Sequence, residues 1–396
     1  MLFANDLKSK IHRGLALKLE TQHEKIPTAR EKGTLNSPLL AITLFVLGAA
    51  SCAGTPVASR TPAFVCAANN GSDNVSAYAV TPSTGVLTAV SGSPFAAGSA
   101  PSYIAADPSG KFVYVSNFLS DNASGYAVNR ASGTLTQVPG SPFSDGLAPI
   151  GLTVDPAGRF LYVGVGASGV LAYAINPASG ALELIAGSPF AAGAGGVAVD
   201  PSGKFLYSSA FNLNEIFCLR INSTSGALTP VPGSPFKNGV GNNPLGLVVD
   251  PAGRYLYVGN TLDGTISGFA IDDANGAIAP VSGSPFPSGI DPRTVCVDPS
   301  GKFLFAGTFG DGKVSGYTIG DSGELTPVSG SPFTVGTGIL GVAVDPSGKF
   351  LYVADNTPGS VRALSISATG VFTPIAGSPF AAGMGTEGVV VTSQIH

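Results

Sequence analysis

The tetrapeptide GSPF stands at Gly92–Phe95 and recurs six more times, ending at Phe143, Phe190, Phe236, Phe286, Phe333 and Phe380. The intervals are 48, 47, 46, 50, 47 and 47 residues. A fixed period of this length is the mark of a repeat architecture. A second motif keeps the same time: DPSGKFVYV begins at Asp107, DPAGRFLYV at Asp155, and its variants at Asp200, Asp250, Asp298 and Asp345. Asp-Pro-x-Gly is turn chemistry. Asp caps through its side chain, Pro presets φ and Gly takes the left-handed conformation. The Phe or Tyr, Leu and Val that follow favour a strand.

Each turn is preceded by a short apolar run, as in YIAAD, GLTVD and GVAVD, and each FLYV-type run is followed by another, such as VSAYAV (75–80), VLAYAI (170–175) and KVSGYTI (313–319). A fourth short run, such as LTAV or LELI, leads into GSPF. Four strands in about 48 residues is a propeller blade, so seven periods predict an all-β, seven-bladed β-propeller over 62–396. The ends complete each other. FVCAANN (64–70) has no inner strand before it, and GVVVTSQ (388–394) has no FLYV-type strand after it. The closing blade is therefore shared between the two halves, which leaves no free sheet edge in the ring. Pro is confined to edges and strand ends, so GSPF is expected to end each outer strand and to turn its Phe between neighbouring blades. Its Ser has no base beside it and is not a catalytic candidate.

The FLYV/YLYV runs with DPxGK turns resemble the YVTN-type repeats of the seven-bladed, lactonase-like propellers. That group includes bacterial 6-phosphogluconolactonases and fungal carboxymuconate cyclases. The resemblance covers about 62–394. It implies the architecture and does not by itself imply an activity.

The composition fits a turn-rich β protein: 54 Gly and 31 Pro among 396 residues, 11% charged and 44% hydrophobic. Residues 1–51 hold seven Lys/Arg and four Asp/Glu, whereas the remainder holds 13 and 20. An acidic body with no basic stripe argues against nucleic-acid binding. Cys66, Cys218 and Cys296 lie far apart in apolar runs, which fits buried free thiols better than zinc or a disulfide framework.

The N-terminal part has the layout of an export signal. Arg30 and Lys32 precede an apolar run from Leu39 to about Ala50, which ends in small residues. The ending AASC resembles a bacterial lipobox, with Ala49 where Leu is usual. This implies lipidation of Cys52, a leader over 1–52, a tether over 53–61 and anchoring in a membrane outside the cytoplasm. The alternative is plain cleavage near Ala50 and secretion.

In this architecture the ligand site is expected at one mouth of the central channel. The position five before each turn Asp gives Ser102, Ile150, Gly195, Leu245, Arg293 and Leu340, with Glu387 from the closing blade. The next position gives Tyr103, Gly151, Gly196, Gly246, Thr294, Gly341 and Gly388. Enzymes of the family resembled carry Pro-Arg-His-like motifs here. DPRTV (291–295) supplies Arg293, but Thr294 stands in place of the His. The chain has only His12, His23 and His396, none in the propeller body. Glu387 is then the candidate base and Arg293 the group for an anionic lactone or its oxyanion. Ser102, Tyr103 and Thr294 are candidate ligand contacts. The competing reading is a structural Arg293–Glu387 ion pair.

No cofactor or metal is assigned. The acids Asp73, Asp121, Glu215, Asp263, Asp311 and Asp355 are spread one per blade, a weak pattern for calcium. GVGASG (164–169) and GMGTEG (383–388) match GxGxxG but lead into strands, not the helix that dinucleotide binding needs. The tidy repeats and a mouth made largely of Gly, Leu and Ile favour a binding module for a small molecule or protein. A lactone hydrolase acting outside the cytoplasm is the alternative.

Overall fold

The computed structural model describes residues 62–392, except 145, 147, 167 and 238. The leader, the tether, Cys52 and His396 lie outside the described residues. Among those described there is strand, turn and loop but no helix long and apolar enough to cross a membrane. The strands form seven antiparallel sheets, the seven blades expected.

Blade 2 shows the pattern. Its strands run outward from the channel in chain order: Pro101–Ala106, Phe112–Asn117, Asn122–Val128 and Leu135–Gln137. The inner strand starts at one face of the disc and ends at the Asp-Pro turn on the other. One face, the mouth face, therefore gathers the entry loops and the turns between second and third strands. The opposite face gathers the Asp-Pro turns. In blade 1, Phe64–Asn69 pairs with Thr386–Thr392, Phe64 opposite Thr392, so the ring closes through both halves as the sequence predicts.

GSPF does something different from ending the outer strand: it interrupts it. In blade 2 the pairing resumes at Phe143–Ser144, with Ala123 opposite Phe143. Pro cannot donate to the ladder, and the Ser hydroxyl bridges the break. Ala77 N–H donates to Ser93 Oγ at 2.9 Å, and Gly125, Ala172, Cys218, Gly268, Gly316 and Ala363 do the same to the other six serines. The Ser–Pro bonds of all seven GSPF copies are cis. The Phe side chains do turn between blades. Phe95 packs on Cys66 and Val75 of blade 1 together with Val113 and Tyr126 of blade 2.

The Asp-Pro turns behave as read. Asp107 Oδ1 accepts from Phe112 N–H at 2.6 Å and Oδ2 from Ser109 N–H at 3.1 Å, while Gly110 holds φ 66°. The Tyr of each FLYV-type strand reaches the next blade. Tyr114, Tyr162, Tyr207, Tyr257 and Tyr352 donate to the carbonyls of Gly180, Gly226, Gly276, Gly323 and Gly85. Blade 6 has Phe305 instead, which packs on Phe372 of blade 7 at 4.9 Å. Cys66 and Cys218 are buried and Cys296 is half-buried, all as free thiols.

Candidate active site at the channel mouth

The inner strands meet backbone to backbone around the channel. A Cβ on Gly246 would lie 2.3 Å from the Arg293 carbonyl oxygen, and one on Gly196 2.4 Å from that of Leu245. The same holds for Gly341 against the Glu387 oxygen at 2.4 Å and Gly388 against the Ser102 oxygen at 2.6 Å. Only glycine permits this approach. The seven-membered ring is thus five glycines interrupted by Tyr103 and Thr294, and these two side chains line a channel of about 160 Å³.

One residue earlier in each blade, the mouth divides into two arcs. Ala100, Phe118, Ala148 and Ile150 form an apolar cluster, with Tyr103, Phe211 and Leu245 packed against it. The charged arc comes from blades 6, 1 and 2. Arg293 donates from Nε to Asp291 Oδ1 at 3.0 Å and from Nη2 to Oδ2 at 2.9 Å. Its guanidinium carbon stacks 4.6 Å from the centre of the Phe309 ring. Burial opposes its charge, but the Asp291 carboxylate outweighs this and holds Arg293 above its ordinary range. It is a permanent cation.

Glu387 sits half-buried on the closing strand. Burial pushes its carboxyl up to about 7, against the opposing pull of Arg293 and a hydrogen bond from Ser102. The Ser102 hydroxyl also lies 3.1 Å from the Ala100 carbonyl oxygen, so its one proton serves one acceptor at a time. Asn70 Nδ2 donates to Ser102 Oγ at 3.4 Å. Tyr103 is pushed up to about 12, first by burial and then by Glu387, so its phenol is a neutral donor at pH 7.

The structure therefore brings Arg293, Glu387, Ser102 and Tyr103 together. Thr294 lies on the channel wall, where its Cγ2 packs over Gly307. Among the described residues the ion pair of Arg293 is with Asp291, at 2.9 Å, not with Glu387. Asp291 went unnoticed in the sequence because Asp-Pro reads as turn chemistry. Here Asp291 holds φ 60° at the head of the inner strand, which aims its carboxylate at Arg293. Phe118, Phe211 and Phe309 were also missed, since nothing in their spacing separates them from core.

Four of the one-per-blade acids, Asp73, Asp121, Asp263 and Asp355, are loop clamps rather than members of a cluster. Asp73 Oδ1 accepts from Ala100 N–H and Asp121 Oδ1 from Ala148 N–H, each at 2.8 Å. Both donating alanines have positive φ, so the carboxylates fix the entry loops of the next blade. No group of three metal-ligating side chains occurs among the described residues.

The Lactonase family model, described as a 7-bladed beta-propeller, matches residues 92–193, 186–291 and 285–394, and the chain belongs to that family. Among solved structures, a candidate 6-phosphogluconolactonase from Bacteroides fragilis aligns with TM-score 0.72 at 20% identity, covering 85% of this chain and 99% of that one. One from Bacteroides uniformis gives 0.71 at 18% identity, covering 83% and 99%. The periplasmic gluconolactonase of Pseudomonas aeruginosa gives 0.70 at 18% identity, covering 84% and 99%. At such identities the likeness is one of fold. No curated protein sequence matches the chain.

Proposed function

We propose that the protein hydrolyses a lactone at the channel mouth, with Glu387 as general base. The observation that carries this reading is a carboxyl poised at about 7 within the electrostatic reach of a fixed arginine that lines the channel mouth. A pKa near the working pH is what general-base catalysis needs, and strongly shifted carboxyls gather at functional sites. Membership of the Lactonase family weighs on the same side. The binding-module reading favoured by the tidy repeats gains no comparable observation.

In this reading Glu387 takes a proton from water as the water oxygen bonds to the lactone carbonyl carbon. Arg293 and the Tyr103 phenol face the oxyanion that forms. The intermediate then collapses, the acyl carbon–ring oxygen bond breaks, and the ring oxygen takes the proton from Glu387. The product is the hydroxy acid, and the base is restored. By the sequence reading of the leader, this happens outside the cytoplasm on a chain tethered through Cys52.

The test is ring-opening of a lactone panel by the purified protein, followed by acid release across pH. The base must be deprotonated to act, so kcat/KM should rise with pH through about 7 and then level off. A folded protein with no turnover above the spontaneous rate on any member sinks the proposal.

A further inference from the structure

The mouth face carries a charge pattern that bears on which lactone fits. Its described residues include four cations, and each is already engaged by a carboxylate. Lys237 pairs with Glu215 at 2.6 Å, Arg293 with Asp291 at 2.9 Å, Lys313 with Asp311 at 3.3 Å and Arg362 with Asp355 at 2.8 Å. Against these four stand eight described carboxylates on the same face, from Asp73 to Glu387. The other described cations, Lys111 and Arg159 among them, lie on the opposite face by the Asp-Pro turns or the turns between third and fourth strands. Among the described residues of this face, a phosphate or carboxylate on the substrate would meet net negative charge and no cation without a carboxylate partner.

Apolar surface is concentrated on the same face. Five of the six large hydrophobic side chains exposed among the described residues lie on its loops: Leu119, Leu213, Leu262, Ile290 and Met384. Leu262 is 77% exposed, Met384 66% and Ile290 63%. Three of them adjoin the site in sequence. Leu119 follows Phe118 of the apolar arc, Ile290 precedes Asp291, and Met384 stands three residues before Glu387. Spread one to a blade, these side chains make the rim of the concave mouth apolar, as at a binding surface.

Resting on the hydrolase reading above, we infer that the substrate class is a neutral lactone bearing an apolar substituent, not a phosphorylated or otherwise anionic sugar lactone. The ring lies toward Glu387 and Arg293, and the substituent runs along the Phe118–Ile150–Leu245 arc to the exposed rim. Asp291 sets the discrimination, because it keeps Arg293 neutralised as a pair.

The test measures kcat/KM of the full chain on γ-butyrolactone, γ-octalactone, glucono-δ-lactone and 6-phosphogluconolactone. Calorimetry runs beside it with 2-pyrrolidinone, 5-butyl-2-pyrrolidinone and 6-phosphogluconate, none of which is hydrolysed under these conditions. Four extra, half-buried carbons should raise kcat/KM about tenfold or more from γ-butyrolactone to γ-octalactone, with the phosphorylated lactone slowest. Leu245→Ser combined with Leu119→Ser, on the arc and on the rim next to it, should bring the octalactone-to-butyrolactone ratio toward one. Asp291→Asn should raise the rate on 6-phosphogluconolactone relative to γ-octalactone. A preference for the phosphorylated lactone, without chain-length dependence, overturns the inference and leaves a hydrolase. Tighter binding of the butyl lactam than of pyrrolidinone and 6-phosphogluconate, with no turnover on any lactone, supports the apolar class and sinks the hydrolase. Binding of the butyl lactam no tighter than that of 6-phosphogluconate overturns the inference whatever the rates.

Discussion

The two faces of the disc are built from the same seven repeats and have diverged in opposite ways. On the far face, six Asp-Pro turns close with the same carboxylate-to-backbone bonds, and five tyrosines each tie their own blade to a glycine carbonyl of the next. On the mouth face the equivalent positions read Ser102, Ile150, Gly195, Leu245, Arg293, Leu340 and Glu387, with no two neighbours of the same chemistry around Arg293 and Glu387. A ring needs every blade joint to hold, so the joint-forming face stays uniform. Chemistry needs unlike groups facing one another, and only departures from the repeat supply them.

That contrast makes separable claims. The largest expected effect is on the mouth: Glu387→Gln should lower kcat by about 10³-fold, within the range general-base groups contribute, with an unchanged circular dichroism spectrum. Loss of the fold in this variant would break the division of labour. Next comes Arg293→Met, expected to cost about 10²-fold in kcat, as for an oxyanion donor, with little change in melting temperature. On the far face the sign reverses. Asp250→Ala strands the N–H groups of Arg254 and Tyr255, now bonded at 2.5 and 2.7 Å, and should cost about 2 kcal/mol in chemical denaturation while kcat stays put. The smallest effect is Tyr257→Phe, which removes the 2.9 Å bond to Gly323 and should cost about 1 kcal/mol with activity intact. A rate loss in either far-face variant would show that the two faces are coupled.

The far face was almost wholly legible in the sequence, because its chemistry is local and repeated. Asp107, Pro108 and Gly110 decide their turn within four residues, and six copies remove ambiguity. Shared closure was legible for the same reason: the period shows what each end lacks. The role of GSPF was half legible. Packing of Phe95 between blades follows from hydrophobicity, but the Ser93 hydroxyl replacing a ladder acceptor depends on a register that no spacing displays. At the mouth, counting back from each turn found Arg293 and Glu387. It could not find Asp291 as partner of Arg293, because that pairing depends on a left-handed backbone at Asp291 in a dipeptide that elsewhere in this chain makes only turns.

Glu387 lies on Thr386–Thr392, the strand that closes blade 1 against Phe64–Asn69. During synthesis Arg293 and Tyr103 emerge long before it, on blades that can pack as they appear. The candidate base arrives with the segment that locks the circle. A product truncated or clipped ahead of residue 386 would be catalytically silent, not weakly active. On the hydrolase proposal, assembly and activity are tied to a single event, and the finished ring is the first species that holds both the candidate base and Arg293.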